Sequence, residues 1–182
     1  MERLNNNLFK IFLQSAFGAM IIFVCTLLAF KLPGSTIPQT AQTFGVLVVA
    51  ALLGPRVGFL SVVFYLMIGI LGIPVFASGT VGPEAFMGPT FGYLIGFIFA
   101  ALLCGWWCSQ SQKRAYLSIV SIMLLAHILI LTMGWMWLSS KIGPSEAFVQ
   151  GVYPFFYGAL FKSLIAASVV VLYYRFGSAI KK

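Results

Sequence analysis

The sequence has 182 residues, 61% of them hydrophobic and 8% charged, with 11 Lys and Arg against three acidic residues, all Glu. Soluble domains are about 45–50% apolar and about 25% charged. This chain therefore cannot cover a water-facing surface, and it reads as an all-α integral membrane protein, a single polytopic domain over residues 1–182. The net charge of +8 does not point to nucleic acid: the only basic pairs are Lys113-Arg114 and Lys181-Lys182, and the cations flank apolar stretches, as topology signals do.

In chain order, apolar stretches predict six helices, at roughly 8–30, 39–54, 57–72, 89–108, 115–139 and 153–176. A spanning helix needs about 20 residues. The second and third fall short, and Gly54-Pro55 with Arg56 separates them, so they are expected to form a tight helical hairpin with Gly58 at the turn. The first stretch is longer than the apolar part of a signal peptide, and no small-x-small site follows it before Pro33. It carries small residues at Ser15, Ala16, Gly18 and Ala19. Small residues let helices approach closely in lipid. Two readings stand for that stripe: packing within the chain, or docking to another membrane subunit through Ser15, Ala16 and Ala19.

Orientation follows from charge. With the N-terminus in the cytoplasm, the inner side holds Arg3, Lys10, Arg56, Lys113, Arg114, Arg175, Lys181 and Lys182. The outer side holds Lys31 and Lys141 with Glu84 and Glu146. That asymmetry predicts six spans with both termini inside. Trp106 and Trp107, Trp135 and Trp137, and Tyr173 and Tyr174 then fall at helix ends, as an interfacial aromatic belt does. Cys104 and Cys108 share a helix face, with no His beside them. They and Cys25 read as packing residues, not as metal or redox groups.

The large outer connection, LGIPVFASGTVGPEAFMGPTFGYLIGF (71–97), has one charge, Glu84. Gly79, Gly82 and Gly88 permit close backbone approach. Pro74, Pro83 and Pro89 stiffen the path. Phe76, Phe86, Phe91 and Tyr93 add stacking surface. Irregular backbone at membrane depth is tolerated where it is buried or lines a cavity, so this loop is expected to line an outward-facing pocket, or else to lie in the lipid interface. Three outer connections (31–38, 73–88 and 140–152) are expected to face one another.

Lys162 is the one charge not near a helix end, about nine residues into the last predicted helix and so ~14 Å deep. A charge there is a functional-site hypothesis. Gly158, Ala159 and Ala166 on its face leave space. Its charge is met by an anionic ligand, by a carboxylate such as Glu84 folded inward, or by snorkelling of the side chain to the interface. Gln42 could reach the same cavity or cap its helix. The only His, His127, reads as an inter-helix hydrogen bonder. There is no GxxxxGK[ST], HExxH or GxSxG, and no intramembrane carboxylate in the predicted spans. Binding or transport energised by a partner fits better than an enzyme.

LVVAALLGPRVGFLSVVFYLMIGILGIPVFASGTVG, MGPTFGYLIGF and VYPFFYGALFK resemble the BioY family, the biotin-specific S components of energy-coupling-factor transporters. The resemblance runs from Gln42 to the last helix. It implies a six-helix membrane subunit, N-in and C-in, with a large outer loop between helices 3 and 4. It implies no cofactor. Biotin would bind on the outer side, in contact with Lys162, Gln42, Phe76, Ser78, Gly79 and Thr80 and with Gly82, Glu84, Thr90 and Tyr93. It also implies docking of the first helix on a transmembrane coupling subunit driven by two cytoplasmic ATPases. The family's last helix usually begins G-D-x-x-K; Gly158 and Lys162 match, but Ala159 stands at the acid. Glu84 or Gln42 is then expected to supply the lost acceptor. The alternatives are an S component for another small anionic vitamin-like ligand, a small integral-membrane enzyme, or an assembly subunit.

Overall fold

The computed structural model describes residues 2–30, 37–77, 79, 81–110 and 115–179, with side chains over these ranges except at 2–4, 30 and 177–179. Ser78, Thr80, Lys31, Lys113, Arg114, Lys181, Lys182 and the Arg3 side chain lie outside the described residues. The chain is helical: α1 (Glu2–Leu27), α2 (Gln42–Ile70), α3 (Phe91–Ser109), α4 (Tyr116–Ile142), α5 (Pro144–Gly151) and α6 (Phe156–Ala179). A two-residue ribbon, β1 (Ala29–Phe30) with β2 (Gln39–Thr40), pairs antiparallel between α1 and α2. Among the described residues five helical segments are long and apolar enough to cross a membrane. Their outward side chains are what a lipid-facing surface requires, with Phe17, Ile128, Met136 and Phe161 all more than half exposed.

The predicted pair 39–54 and 57–72 is one helical run with a break. Gly54 takes φ 84°, which L residues other than Gly rarely adopt, and Pro55 follows it. The two limbs return beside each other. Gln42 Nε2 donates to the Tyr65 hydroxyl. An unbroken helix would hold residues 23 positions apart at about 35 Å. The turn is at Gly54; Gly58 is a packing residue, where an added Cβ would come within 2.7 Å of the Ala50 Cα on the opposite limb.

Small residues set the other close contacts. Ser15, Gly18 and Ala19 are buried, and Gly18 lies against Ser61 and Val49, one on each limb of α2. The expected docking stripe is therefore turned inward: Ser15 and Ala19 face this chain's own hairpin, because only small side chains let α1 approach it. Ala16 alone of the three is exposed. On α3, an added Cβ at Gly96 would come within 2.9 Å of Ile130 Cα on α4, and one at Gly105 within 2.8 Å of Pro55 Cα.

Two further differences from expectation concern the last connection and the last helix. Residues 140–152 are not loop: α4 runs on to Ile142, Gly143 reverses the path at φ 84°, and α5 follows. The last helix starts at Phe156 after a 3-10 turn, Tyr153–Phe155. Lys162 is thus in its second turn, about 9 Å from its start. The described parts of three connections, 28–30 with 37–41, 71–77 with 81–90, and 143–155, gather at one end of the bundle. Gln39 Nε2 donates to Pro154 O (2.8 Å), Trp137 Nε1 to Gly88 O (2.9 Å) and the Tyr93 hydroxyl to Gly151 O (2.7 Å). At the other end the Tyr174 hydroxyl donates to Ala51 O (2.7 Å), near the Gly54 turn and Arg56.

Gly96→Val forces Ile130 backbone away from α3. It is expected to cost about 1–3 kcal/mol, read as a lower melting temperature in detergent, whereas Val at the exposed Ala16 leaves the melting temperature unchanged.

Candidate ligand-binding site

The gathered connections close over a cavity of about 60 Å³, counted as room for the centres of water molecules. One water needs about 10–15 Å³ on that measure, so the space takes a group larger than a single water. Five parts of the chain build its wall: β2 with the start of α2, the loop at Phe76 and Ala77, the first turns of α3, the middle of α4, and Phe155 with the start of α6. A shallower groove of about 520 Å³ adjoins it between the end of α1, the ribbon and α6. Thr40 and Lys162 belong to both walls.

Lys162 donates from Nζ to the Thr40 carbonyl oxygen at 3.0 Å. The ribbon pairs Ala29 with Thr40 and Phe30 with Gln39, and Gln39 Nε2 donates to Pro154 O just ahead of α6, so Thr40 lies within reach of Lys162. An ammonium has three donors and no acceptor. Among the described residues no carboxylate pairs with it; Glu84 sits in the 3-10 turn Gly82–Phe86 and Glu146 in α5, both exposed. Glu84 is therefore not the inward counter-charge expected from the sequence. The reason is local: Pro83 starts a short helical turn that points residue 84 outward while Ala85 and Gly82 are buried.

Behind the wall the Tyr65 hydroxyl receives Gln42 Nε2, donates to Val75 O at 2.8 Å, and lies 3.3 Å from Thr26 Oγ1. Its ring stands edge-on to Phe76, centroids 5.5 Å apart. The loop expected to line a pocket is thus anchored through Val75 and Phe76, both buried. On the far side Phe86, Phe91 and Trp137 make an edge-to-face chain, with centroids 5.2 and 4.9 Å apart.

Of the residues named from the sequence, Lys162, Gln42, Phe76, Thr90 and Tyr93 meet at the cavity. Gly79, Gly82 and Glu84 do not line it. The φ of 70° at Gly79 and 69° at Gly82 serves the loop's path. Sequence reasoning passed over Thr40, Thr43 and Phe155 and read His127 as an inter-helix hydrogen bonder, which it is, but not as a wall residue; all four line the wall. The polar run Gln39-Thr40-Ala41-Gln42-Thr43 ahead of a long apolar stretch was the available signal for the two threonines. Nothing in the pattern marked Phe97 or Ile130 as wall rather than core.

Tyr65→Phe removes the hydroxyl that joins three elements. It is expected to destabilise the protein by about 1–3 kcal/mol and to raise hydrogen exchange or proteolysis selectively in residues 71–77.

The comparisons with known proteins agree with this architecture. A family model, the BioY family, matches residues 3–179. A probable biotin transporter BioY of Pyrococcus horikoshii is 37% identical over 136 residues, covering 75% of this chain and 78% of that protein. The biotin transporter BioY2 of Lactococcus lactis subsp. cremoris is 34% identical over 152 residues, covering 82% of each. A crystal structure of the S-component for biotin from an ECF-type ABC transporter superposes with a TM-score of 0.82 at 25% identity, over 94% of each chain. The family match over residues 3–179, with relatives at 34–37% identity over most of their length, places the chain in the BioY family.

Proposed function

We propose that this protein is the substrate-specificity subunit of a biotin uptake system. The observation that carries the reading is Lys162: an ammonium on the wall of a largely apolar cavity, with a main-chain carbonyl but no carboxylate as partner among the described residues. A lone cation there asks for an anionic ligand. Biotin offers one carboxylate, an aliphatic chain and a thioether for the apolar wall, and a ureido ring with two N–H donors and one acceptor. The family is one of transporters, and the protein acts by binding and carriage.

The topology proposed is one membrane domain of six spans in the plasma membrane, both ends of the sequence cytoplasmic and the cavity outside. The break at Gly54 supports six rather than five, since it turns one long apolar run into two traverses. Arg56 and Arg175 at the end away from the cavity support the orientation. The proposed partners are a transmembrane coupling subunit and two cytoplasmic ATPases. The docking face is the outward side of α1, where Ala16 lies among exposed Phe12, Phe17 and Met20, not the inward Ser15 and Ala19. A second reading, another small anion, is favoured by Ala159, which lines the cavity and presents no acid.

Titration of the detergent-purified chain with biotin tests the reading. Biotin is expected to bind, and Lys162→Met to weaken it about 10- to 100-fold, the range for a hydrogen bond to a charged group. Unchanged affinity in Lys162→Met would remove the lysine from the site; absence of binding in a folded wild-type sample would favour the second reading.

A further inference from the structure

We infer that the groove beside the cavity, between the end of α1, the ribbon and α6, lets this protein bind amides of biotin as well as free biotin, with Lys162 on the amide carbonyl and the N-substituent lying in the groove. The inference rests on the biotin-binding reading and widens its class of ligand to biotin joined through its carboxyl group to a primary amine.

Two compartments meet at one side chain. The cavity measures about 60 Å³ and the groove about 520 Å³, both as room for the centres of water molecules. The cavity thus has room for about four to six waters, enough for one end of biotin but not for fused rings and acid chain together. Thr40 and Lys162 are the residues common to the two linings. A ligand longer than the cavity therefore passes beside them into the groove. Helices α1 and α6 both pack on α2, and the groove is the gap left between them next to the ribbon. Leu28 and Phe161 on its sides are 67% and 66% exposed, so it opens to the surroundings.

The linings decide which end of the ligand goes where. Gln42, Thr43, Thr90, Tyr93 and His127 line the cavity and not the groove. They carry donors and acceptors, and a ureido ring needs both. Apart from the shared Thr40 and Lys162, the groove has one polar lining residue, Gln39, whose Nε2 is held by Pro154 O. Its other sides are apolar, among them Leu28, Ala29 and Phe161. The rings therefore belong in the cavity, and the carboxyl group beside Lys162 where the two spaces join.

At that junction the lysine asks for an acceptor oxygen. Nζ gives one of its three hydrogens to Thr40 O, which leaves two. A carboxylate meets them, and so does an amide carbonyl. In the amide the N-substituent replaces the second carboxylate oxygen, and the groove is the space open to it. The hydrogen bond survives while the negative charge is lost, so the expected cost is about tenfold, the lower end of the range for a bond to a charged group. An apolar substituent regains up to about fourfold for each methylene it buries.

The test is calorimetric titration of the full chain with biotin, its primary amide and its N-butyl amide. Ala29→Trp fills the groove: Ala29 is exposed, and it lines the groove but not the cavity. Wild type is expected to bind biotin, to bind the primary amide about tenfold more weakly, and to bind the N-butyl amide at least as tightly as the primary amide. Ala29→Trp is expected to leave biotin and the primary amide unchanged and to weaken the N-butyl amide at least tenfold. Partition of the butyl compound into detergent is the same for both proteins and cancels in that comparison. Melting temperatures are read alongside; if Ala29→Trp does not fold, Leu28→Trp fills the same groove and carries the comparison. A wild type that binds biotin but not the N-butyl amide overturns the proposal. So does a folded filling variant that binds the N-butyl amide as wild type does, or that loses biotin equally. A folded wild type that binds no biotin overturns the reading on which the proposal rests.

Discussion

The Tyr65 hydroxyl is buried where water cannot compensate for a lost partner, so every bond it makes is a constraint. It receives Gln42 from the first limb of α2, donates to Val75 in the large loop and lies beside Thr26 of α1. Two of those elements, the start of α2 and the loop at Phe76, are part of the cavity wall, and α1 braces them from behind. In an apolar solvent each irregular segment has to find its polar partners inside the protein. The ribbon at 29–30 and 39–40, the Gln39–Pro154 bond and the Lys162–Thr40 bond are further solutions of the same problem.

Close helix contact is the second requirement, and lipid gives no hydrophobic drive toward it. Glycine and alanine meet it. Gly18 brings α1 onto both limbs of the hairpin, Gly58 brings the limbs together, and Gly96 and Gly105 seat α3 on α4 and on the Gly54 turn. The bulky side chains are left to face outward, where they meet the membrane. The bundle is thereby closely packed at its centre, while the end that holds the cavity is made of short turns, a ribbon and edge-to-face aromatics.

Lys162 and the His127–Thr43–Ser163 group give this apolar interior its chemistry. One supplies donors, and the other ties α2, α4 and α6 together beside the cavity. Both rely on distant parts of the chain, since residue 162 meets residue 40 and residue 127 meets residues 43 and 163. Lys162 and Gln42 were readable as site residues because a charge or an amide in an apolar stretch is rare and has to be explained. Glu84 was misplaced because a carboxylate in an apolar loop looks like a partner, whereas the direction of one side chain in a 3-10 turn is settled by Pro83 and its neighbours. His127 was readable as a hydrogen bonder, but not as part of a wall.

Composition and hydropathy determined the solvent, and with it the class. A chain with 61% hydrophobic residues and three carboxylates belongs in lipid, and long apolar runs in lipid are helices because only a helix satisfies its own backbone. The Gly54-Pro55 break was legible for the same local reason, since few other residue pairs interrupt a helix so definitely. The facing of the small-residue stripe on α1, the extra helix at 144–151 and the membership of the cavity were decided by tertiary structure. A stripe such as Ser15, Ala16 and Ala19 states only that something packs closely; which surface does so depends on the α2 hairpin, whose two limbs present Val49 and Ser61 to it at once. Likewise Thr43 acquires a buried partner only because the fold brings His127, on a helix more than eighty residues away, within 3.0 Å of its hydroxyl.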